Sequence, residues 1–253
     1  FFTIPLISRA RAKDWARVLA NLGLTLDALR RQTDTGWQAL VCSQDRPEGI
    51  VFDDAVRFVP FDTDDTVTAE TRTRFDNHAK RSLMAQTISG SFRGDGYLFP
   101  LDADDILHPD LVRHIRSDNN GAGYVITRGY MWDVQTGDLA PLRPGRFARF
   151  GGVRAFNREC GSCVAFRLDL RQGSDWLELL RAHGRHKWAE ASSAAMGLPI
   201  AAVPFPAALY AVNHGENMRQ VRGKLGPKMR YVARHRLPDD AAARVRATFG
   251  LPG

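Results

Sequence analysis

Three carboxylates fall within four positions in Asp102-Ala103-Asp104-Asp105. The residues before them, Tyr97-Leu98-Phe99-Pro100-Leu101, are mostly apolar and have the length of a short buried strand. Burying one unpaired carboxylate is costly, and crowding three together adds mutual repulsion. Such a cluster at a strand's end calls for a cation, and a divalent metal is the obvious one. Asp102 and Asp104 point to the same side of an extended chain because side chains alternate. One can then bind a metal while the other accepts a hydrogen bond from a ligand hydroxyl. The competing reading is a loop whose acids introduce the next helix, since Pro109 suits a first helical position and Asp110 favours the helix dipole.

Two further segments carry chemistry-bearing side chains. In Val212-Asn213-His214-Gly215-Glu216-Asn217 an imidazole follows a predicted strand and opens a glycine-containing loop. By itself such a histidine reads as an ordinary surface or core residue. Cys160-Gly161-Ser162-Cys163 matches C-x-x-C but falls two ligands short of a structural zinc site. A redox motif of this kind opens a helix, whereas Val164-Ala165-Phe166 continues this one as a strand. With Cys42, the three cysteines make no disulfide framework and read as structural.

The elements that must hold these residues alternate through the first half, which predicts an α/β fold with a mostly parallel central sheet flanked by helices. Phe1–Ile7 reads as the first strand, and Trp15, Val18, Leu19, Leu22, Leu26 and Leu29 fall on one helical face. Strands are expected over Trp37–Ser43, Val56–Pro60 and Tyr97–Leu101, with a helix over Phe75–Phe92 whose Ala79, Leu83 and Ile88 face inward. Ligands of open parallel sheets gather beyond the carboxyl ends of the strands, where Ser8–Arg11, Ser43–Asp45 and Asp102–Asp105 fall. The second half is smaller and mixed. Tyr124–Trp132 and Leu139–Leu142 suggest a hairpin, and Arg143–Arg158 a substrate-covering loop. A strand is expected at Ser162–Arg167, helices near Asp175–Ala182 and Trp188–Met196, and strands at Ile200–Val203 and Leu209–Val212. The basic tail from Pro227 to Phe249 reads as helical with a break at Pro238. No repeat or linker interrupts the chain, so a single domain over 1–253 is expected.

Composition excludes little. The 253 residues are 44% hydrophobic and 25% charged, ordinary for a globular chain. No apolar run approaches the roughly 20 residues that span a bilayer, and Phe1–Ile7 is too short for a secretory signal, so a cytoplasmic location is expected. The net charge of +7 suits an anionic partner. Its local concentrations, Arg9–Arg17, Lys80-Arg81, Arg143–Arg158 and Arg219–Arg236, carry few aromatics. That favours a small anionic ligand over nucleic acid. The tail's charge permits peripheral membrane contact, but its apolar face is thin.

Phe1–Arg9, Leu29-Arg30-Arg31-Gln32-Thr33, Leu40–Asp45, Tyr97–Asp105 and Pro206–Asn217 occur in the order seen in GT-A glycosyltransferases, and the chain resembles their family 2-like group. Leu101-Asp102-Ala103-Asp104-Asp105 looks like the DXD signature, and Leu209–Asn217 resembles the C-terminal Tyr-x-x-x-His-Gly segment. The resemblance implies a GT-A, Rossmann-like domain, with 1–105 as its nucleotide-binding half and 106–253 as its acceptor half. It implies that Asp104 ligates Mn²⁺ or Mg²⁺ with His214 as a second protein ligand, and that Asp102 contacts the ribose or assists the metal, with Ala103 between them in the nucleotide site. Pro5, Ile7 and Arg9 would line the nucleotide pocket, and Asp45 would lie near the uracil edge, although the family's Asp-Asp-Gly-Ser is replaced by Cys42-Ser43-Gln44-Asp45. Lys80 and Arg81 would meet base or phosphate, or else form a solvated helix face.

The activity so implied is metal-dependent transfer of a sugar from UDP-sugar to an acceptor the sequence does not name. A metal offsets charge on the leaving diphosphate, and a general base takes the acceptor's proton. The family's acidic pair before the late tryptophan is missing. His186-Lys187-Trp188 stands there, with Glu190 one helical turn from His186, so either of these two is the candidate base. Two other readings compete. One is a UDP-sugar-binding protein without turnover, and the other a nucleotidyltransferase, which would show a glycine-rich, lysine-containing loop after strand one where Ser8–Lys13 has no glycine.

Overall fold

Fifteen-odd residues of amphipathic periodicity after a short apolar strand produce the unit on which the molecule is built. In the computed structural model, which describes residues 1–62, 76–145, 152, 154–171, 186–217, 220 and 223–251, strand β1 (Phe2–Pro5) is buried along its whole length. Helix α1 (Trp15–Arg30) follows it, with the Asp14 side chain accepting from Arg17 N as N-cap. Its buried face, Val18, Leu22, Leu26 and Leu29, is the one the periodicity predicts.

The remaining strands are β2 (Ala39–Ser43), β3 (Val56–Pro60), β4 (Asp95–Pro100), β5 (Ile106–Leu107), β6 (Gly123–Val125), β7 (Gly129–Asp133), β8 (Leu139–Leu142), β9 (Val164–Asp169), β10 (Ala201–Ala202) and β11 (Ala208–Val212). The helices are α2 (Asn77–Ser91), α3 (Leu111–Asp118), α4 (Phe156–Glu159), α5 (Ala189–Ala195), which continues a 3₁₀ turn over His186–Trp188, α6 (Gly226–His235) and α7 (Asp239–Phe249). Seven strands form one sheet in the order β10-β6-β9-β4-β1-β2-β3, and β5-β11-β7-β8 form a second. In the large sheet β1, β2, β3 and β4 pair in parallel, while β9 runs antiparallel to both β4 and β6. The architecture is mixed α/β, with a mostly parallel seven-stranded sheet flanked by helices. One apolar cluster joins residues of both sheets, from Phe2, Ile4 and Phe99 through Met131 to Val212.

Three expectations need correction. The run Tyr124–Trp132 is two strands: β6 lies in the large sheet and β7 in the small one, so only β7 and β8 make the hairpin. In α2 the inward residues are Lys80, Met84, Ala85 and Ile88, whereas Ala79 is exposed. The long polymethylene stem of Lys80 lies inside and carries its ammonium to Leu6 O at 2.7 Å and Asp76 at 2.8 Å. Strand β4 ends at Pro100, one residue earlier than expected. The helix expected near Asp175–Ala182 lies outside the described residues.

Candidate functional site

Strands β1, β2 and β4 are parallel and in register, with Phe2 opposite both Ala39 and Phe99. Their following loops therefore emerge at one edge of the sheet. There Leu6 N donates to Cys42 O at 2.9 Å, Arg9 N donates to Asp45 Oδ2 at 2.7 Å, and Ser43 Oγ donates to Ile7 O at 3.4 Å. Arg9 also pairs with Glu48 at 2.8 Å. Pro5, Ile7, Arg9 and Asp45 are thus brought together as two loops. Lys80 is withdrawn beneath them: its side chain is fully buried and holds the first loop through Leu6 O, which removes it from the solvent-facing wall.

The acidic cluster divides into three environments. Asp105 is completely buried. Its Oδ2 accepts from Ser162 Oγ at 2.6 Å and from the Cys160 thiol at 3.0 Å, and its Oδ1 from Ala211 N at 3.3 Å. Burial, reinforced by Asp104 and Asp102, drives its carboxyl pKa well upward. The Cys160 thiol is likewise pushed far up by burial, then by Asp105, so it stays protonated and serves as a donor. Ser162 Oγ also accepts from Asp102 N at 2.9 Å. One hydroxyl thereby ties the buried acid to the backbone at the head of the cluster. The C-x-x-C segment is a buried brace, and among the described residues no three His, Cys, Asp or Glu side chains are arranged so that they alone could hold a metal ion.

Asp102 sits deep in the molecule while 40% of its side chain remains accessible, and Arg81 Nη2 donates to its Oδ1 at 2.7 Å. Burial raises its carboxyl pKa, Arg81 pulls it down, Asp104 raises it, and the balance is upward. The buried Arg81 Nε has no acceptor among the described residues. Asp104 meets His214, 110 residues away in sequence, through Oδ2 and Nε2 at 2.7 Å. The imidazole is 2% exposed and its Nδ1 lies 3.0 Å from Asn21 Nδ2 on α1. With the amide donating to Nδ1, the ring's proton sits on Nε2 and faces Asp104. The loop that carries His214 needs left-handed backbone on both sides, Asn213 at φ 64° and Gly215 at φ 95°, which accounts for the glycine. Glu216 next to it accepts from Lys13 N at 3.1 Å and Asp14 N at 2.9 Å.

The two candidate bases part company. A Cβ on Gly161 would lie 3.5 Å from Asp102 Oδ2 and 3.9 Å from His186 Nδ1, so Asp102 and His186 flank this glycine. Glu190 instead accepts from Asn157 Nδ2 at 2.8 Å. Ser162 and Asn21 were not singled out by the sequence. Ser162 was hidden between two more conspicuous cysteines, and Asn21 carries no signal beyond a polar residue beside the apolar stripe of α1.

A cavity of about 640 Å³ opens at the opposite, amino-terminal ends of these strands, lined by Phe2, Trp37, Phe99, Arg116 and Arg167 among others. Its arginines are already paired, Arg116 with Asp34 and Arg167 with Asp95. The chemistry-bearing groups lie at the other end. No helix among the described residues is long and apolar enough to cross a membrane.

No protein-family model and no curated protein sequence matches this chain. Among solved structures, S. aureus TarS 1–349 is similar at TM-score 0.43 and 9% identity, covering 98% of this chain and 70% of that one. The same fragment in complex with UDP-GlcNAc gives TM-score 0.46 and 10% identity, covering 98% and 71%. The longer S. aureus TarS structure gives 0.43 and 8%, covering 98% and 42%. Overlaps this loose transfer no residue's role.

Proposed function

We propose that this chain is a glycosyltransferase of the GT-A type that takes its sugar from a UDP-sugar with Mn²⁺ or Mg²⁺. The observation that carries the reading is the meeting of Asp104 and His214 beside Asp102 and Arg81, at the strand ends where ligands of such sheets gather. The donor set fits the metal: one carboxylate and one imidazole, with Asp102 adjacent, suit a hard divalent ion that completes its shell with phosphate oxygens and water. Two or three protein ligands are too few to hold it firmly alone, so metal and nucleotide bind together. His214 would surrender its Nε2 proton on ligation, and Asn21 fixes the ring's orientation. When bound, the metal stabilises negative charge on the departing diphosphate.

The remaining roles follow from position. Arg81 holds Asp102 and offers its Nε to an anionic oxygen. Pro5, Ile7, Arg9 and Asp45 line the nucleotide pocket, with Ala103 in its floor. In the transfer the acceptor oxygen forms a bond to the sugar's anomeric carbon as the carbon–diphosphate bond breaks. Its proton passes to His186, which lies beside Asp102 across Gly161, while UDP leaves with the bonding pair. Glu190 is engaged with Asn157, and that contact favours one second reading, a UDP-sugar-binding protein that has lost turnover.

Calorimetry with UDP, with and without Mn²⁺, tests the first reading: UDP and Mn²⁺ each bind weakly alone and tightly together. Absent or metal-independent UDP binding overturns it. A panel of UDP-sugars followed for UDP release separates enzyme from binder, since no release even with candidate acceptors leaves only the binder.

A further inference from the structure

Along α6 the surface is strongly basic. A cleft of about 640 Å³ opens beside α6, lined by Arg154, Pro227, Arg230, Tyr231, Arg234 and His235. Its cations come from two separate segments, Arg154 from the stretch before α4 and the others from α6. Glu159 stands behind Arg154 but is shared, accepting from Arg154 at 3.1 Å and from Lys228 at 2.9 Å. Arg230 and Arg234 are exposed, lie one helical turn apart on the same face, and have no carboxylate partner among the described residues. Like charges at this spacing repel, and an anion between them relieves the repulsion. The basic character continues toward the acids. Arg158 donates to Lys187 O at 2.7 Å and lies over the Trp188 ring at 5.5 Å, and Trp188 is 58% exposed. His186, at the start of that turn, flanks Gly161 opposite Asp102.

We infer that this cleft binds a chain bearing anionic groups, and that it is the outer arm of the acceptor site. The second clause rests on the glycosyltransferase reading; the first does not. Arginine forks suit phosphate or carboxylate oxygens spaced along a flexible chain. Shape and lining exclude the two other polyanionic partners. A bilayer is flat and its capture needs an apolar face, whereas this site is concave and its exposed lining is cationic. Nucleic-acid bases need exposed rings to stack on; in the cleft Tyr231 is 7% exposed with its hydroxyl donated to Pro141 O at 2.7 Å, and the exposed Trp188 ring is not part of its lining and has Arg158 over one face.

The test uses the full chain with labelled inorganic polyphosphate, and in parallel phosphatidylglycerol vesicles. Polyphosphate binds the unaltered protein, and salt at about 1 M, which shortens the screening length to about 3 Å, abolishes that binding. The double substitution Arg230→Glu and Arg234→Glu, or the milder Arg230→Gln and Arg234→Gln should the first fail to fold, weakens it about tenfold or more. The affinity of the same variants for UDP with Mn²⁺ is unchanged. Undiminished polyphosphate affinity in the folded variants overturns the inference, as does binding to vesicles without binding to polyphosphate. If UDP and Mn²⁺ fail to bind while arginine-dependent polyphosphate binding persists, the donor reading falls and the anion cleft stands without its role as acceptor arm.

Discussion

On one wall of the site His214 uses both ring nitrogens, on Asn21 and Asp104; on the other, Glu190 is held by Asn157 and His186 lies beside Gly161, which Asp102 also flanks. The first wall is braced from three directions: α1 supplies Asn21, the turn after β4 supplies Asp104, and beneath them Ser162 pins Asp105 to the Asp102 backbone. The second wall hangs on one short turn and the ion pairs behind it. A nucleotide diphosphate of fixed shape rewards a rigid wall, because pre-organised groups need no ordering on binding. An acceptor that must arrive and leave can be served by a looser one. On the proposed reading, binding and transfer would draw on differently braced groups.

The largest effect that could break this division is at His186. His186→Ala lowers UDP release from a UDP-sugar about 10²- to 10⁴-fold while UDP affinity holds, and Glu190→Gln leaves release near its original rate. A reversed outcome would return the base to Glu190. The ion pairs behind that wall are tested next. Glu159→Gln takes a carboxylate from the buried Lys228 and costs about 3 kcal/mol of stability at neutral pH by urea denaturation. Burial alone would raise the Glu159 carboxyl, but Lys228 and Arg154 outweigh it and hold it below its ordinary 4.5. A depressed folded-state value gives stability that is present above 4.5 and is lost as the pH falls through the folded-state value. The difference between Glu159→Gln and the parent therefore shrinks in acid below pH 4.5, and a gap that stays constant would refute the pairing. On the braced wall, Asp104→Ala reduces Mn²⁺-dependent UDP affinity about a hundredfold by calorimetry. Smallest is Ser162→Ala, which lowers stability by about 1–3 kcal/mol. Its effect on UDP affinity separates two roles: a parallel loss shows that the brace positions Asp102, and none shows that it only supports the fold.

Much of the frame was legible because period and burial agree there. β1, β2, β3 and the buried stripe of α1 fall where apolar spacing puts them, and the acids follow an apolar strand as expected. Prediction failed where one residue answers to two demands. Lys80 shares a helix with exposed polar residues and reads as a solvated or phosphate-facing cation, yet its ammonium finds Leu6 O and Asp76 inside. The break between β6 and β7 has no strong turn signal in Ile126-Thr127-Arg128 and arises because the two strands join different sheets. Within the site, the pairing of residue 104 with 214 was reached through resemblance, since no local pattern links positions so far apart. Ser162 and Asn21 act through geometry alone.

The carboxylate of Glu216 closes on the backbone of Lys13 and Asp14, a contact spanning more than two hundred positions, and His214 beside it reaches back to Asn21 and Asp104. Such contacts belong to the slow part of folding, because a long loop must close before they yield anything. During synthesis the strands and two helices of the first hundred residues can pack early, as amino-terminal regions do. The corner that joins Asp104 to His214 forms only after residue 217 has left the ribosome. A nascent chain would thus carry packed amino-terminal strands before the Asp104–His214 corner exists, and on the proposed reading the ability to hold a nucleotide would arrive in one late step.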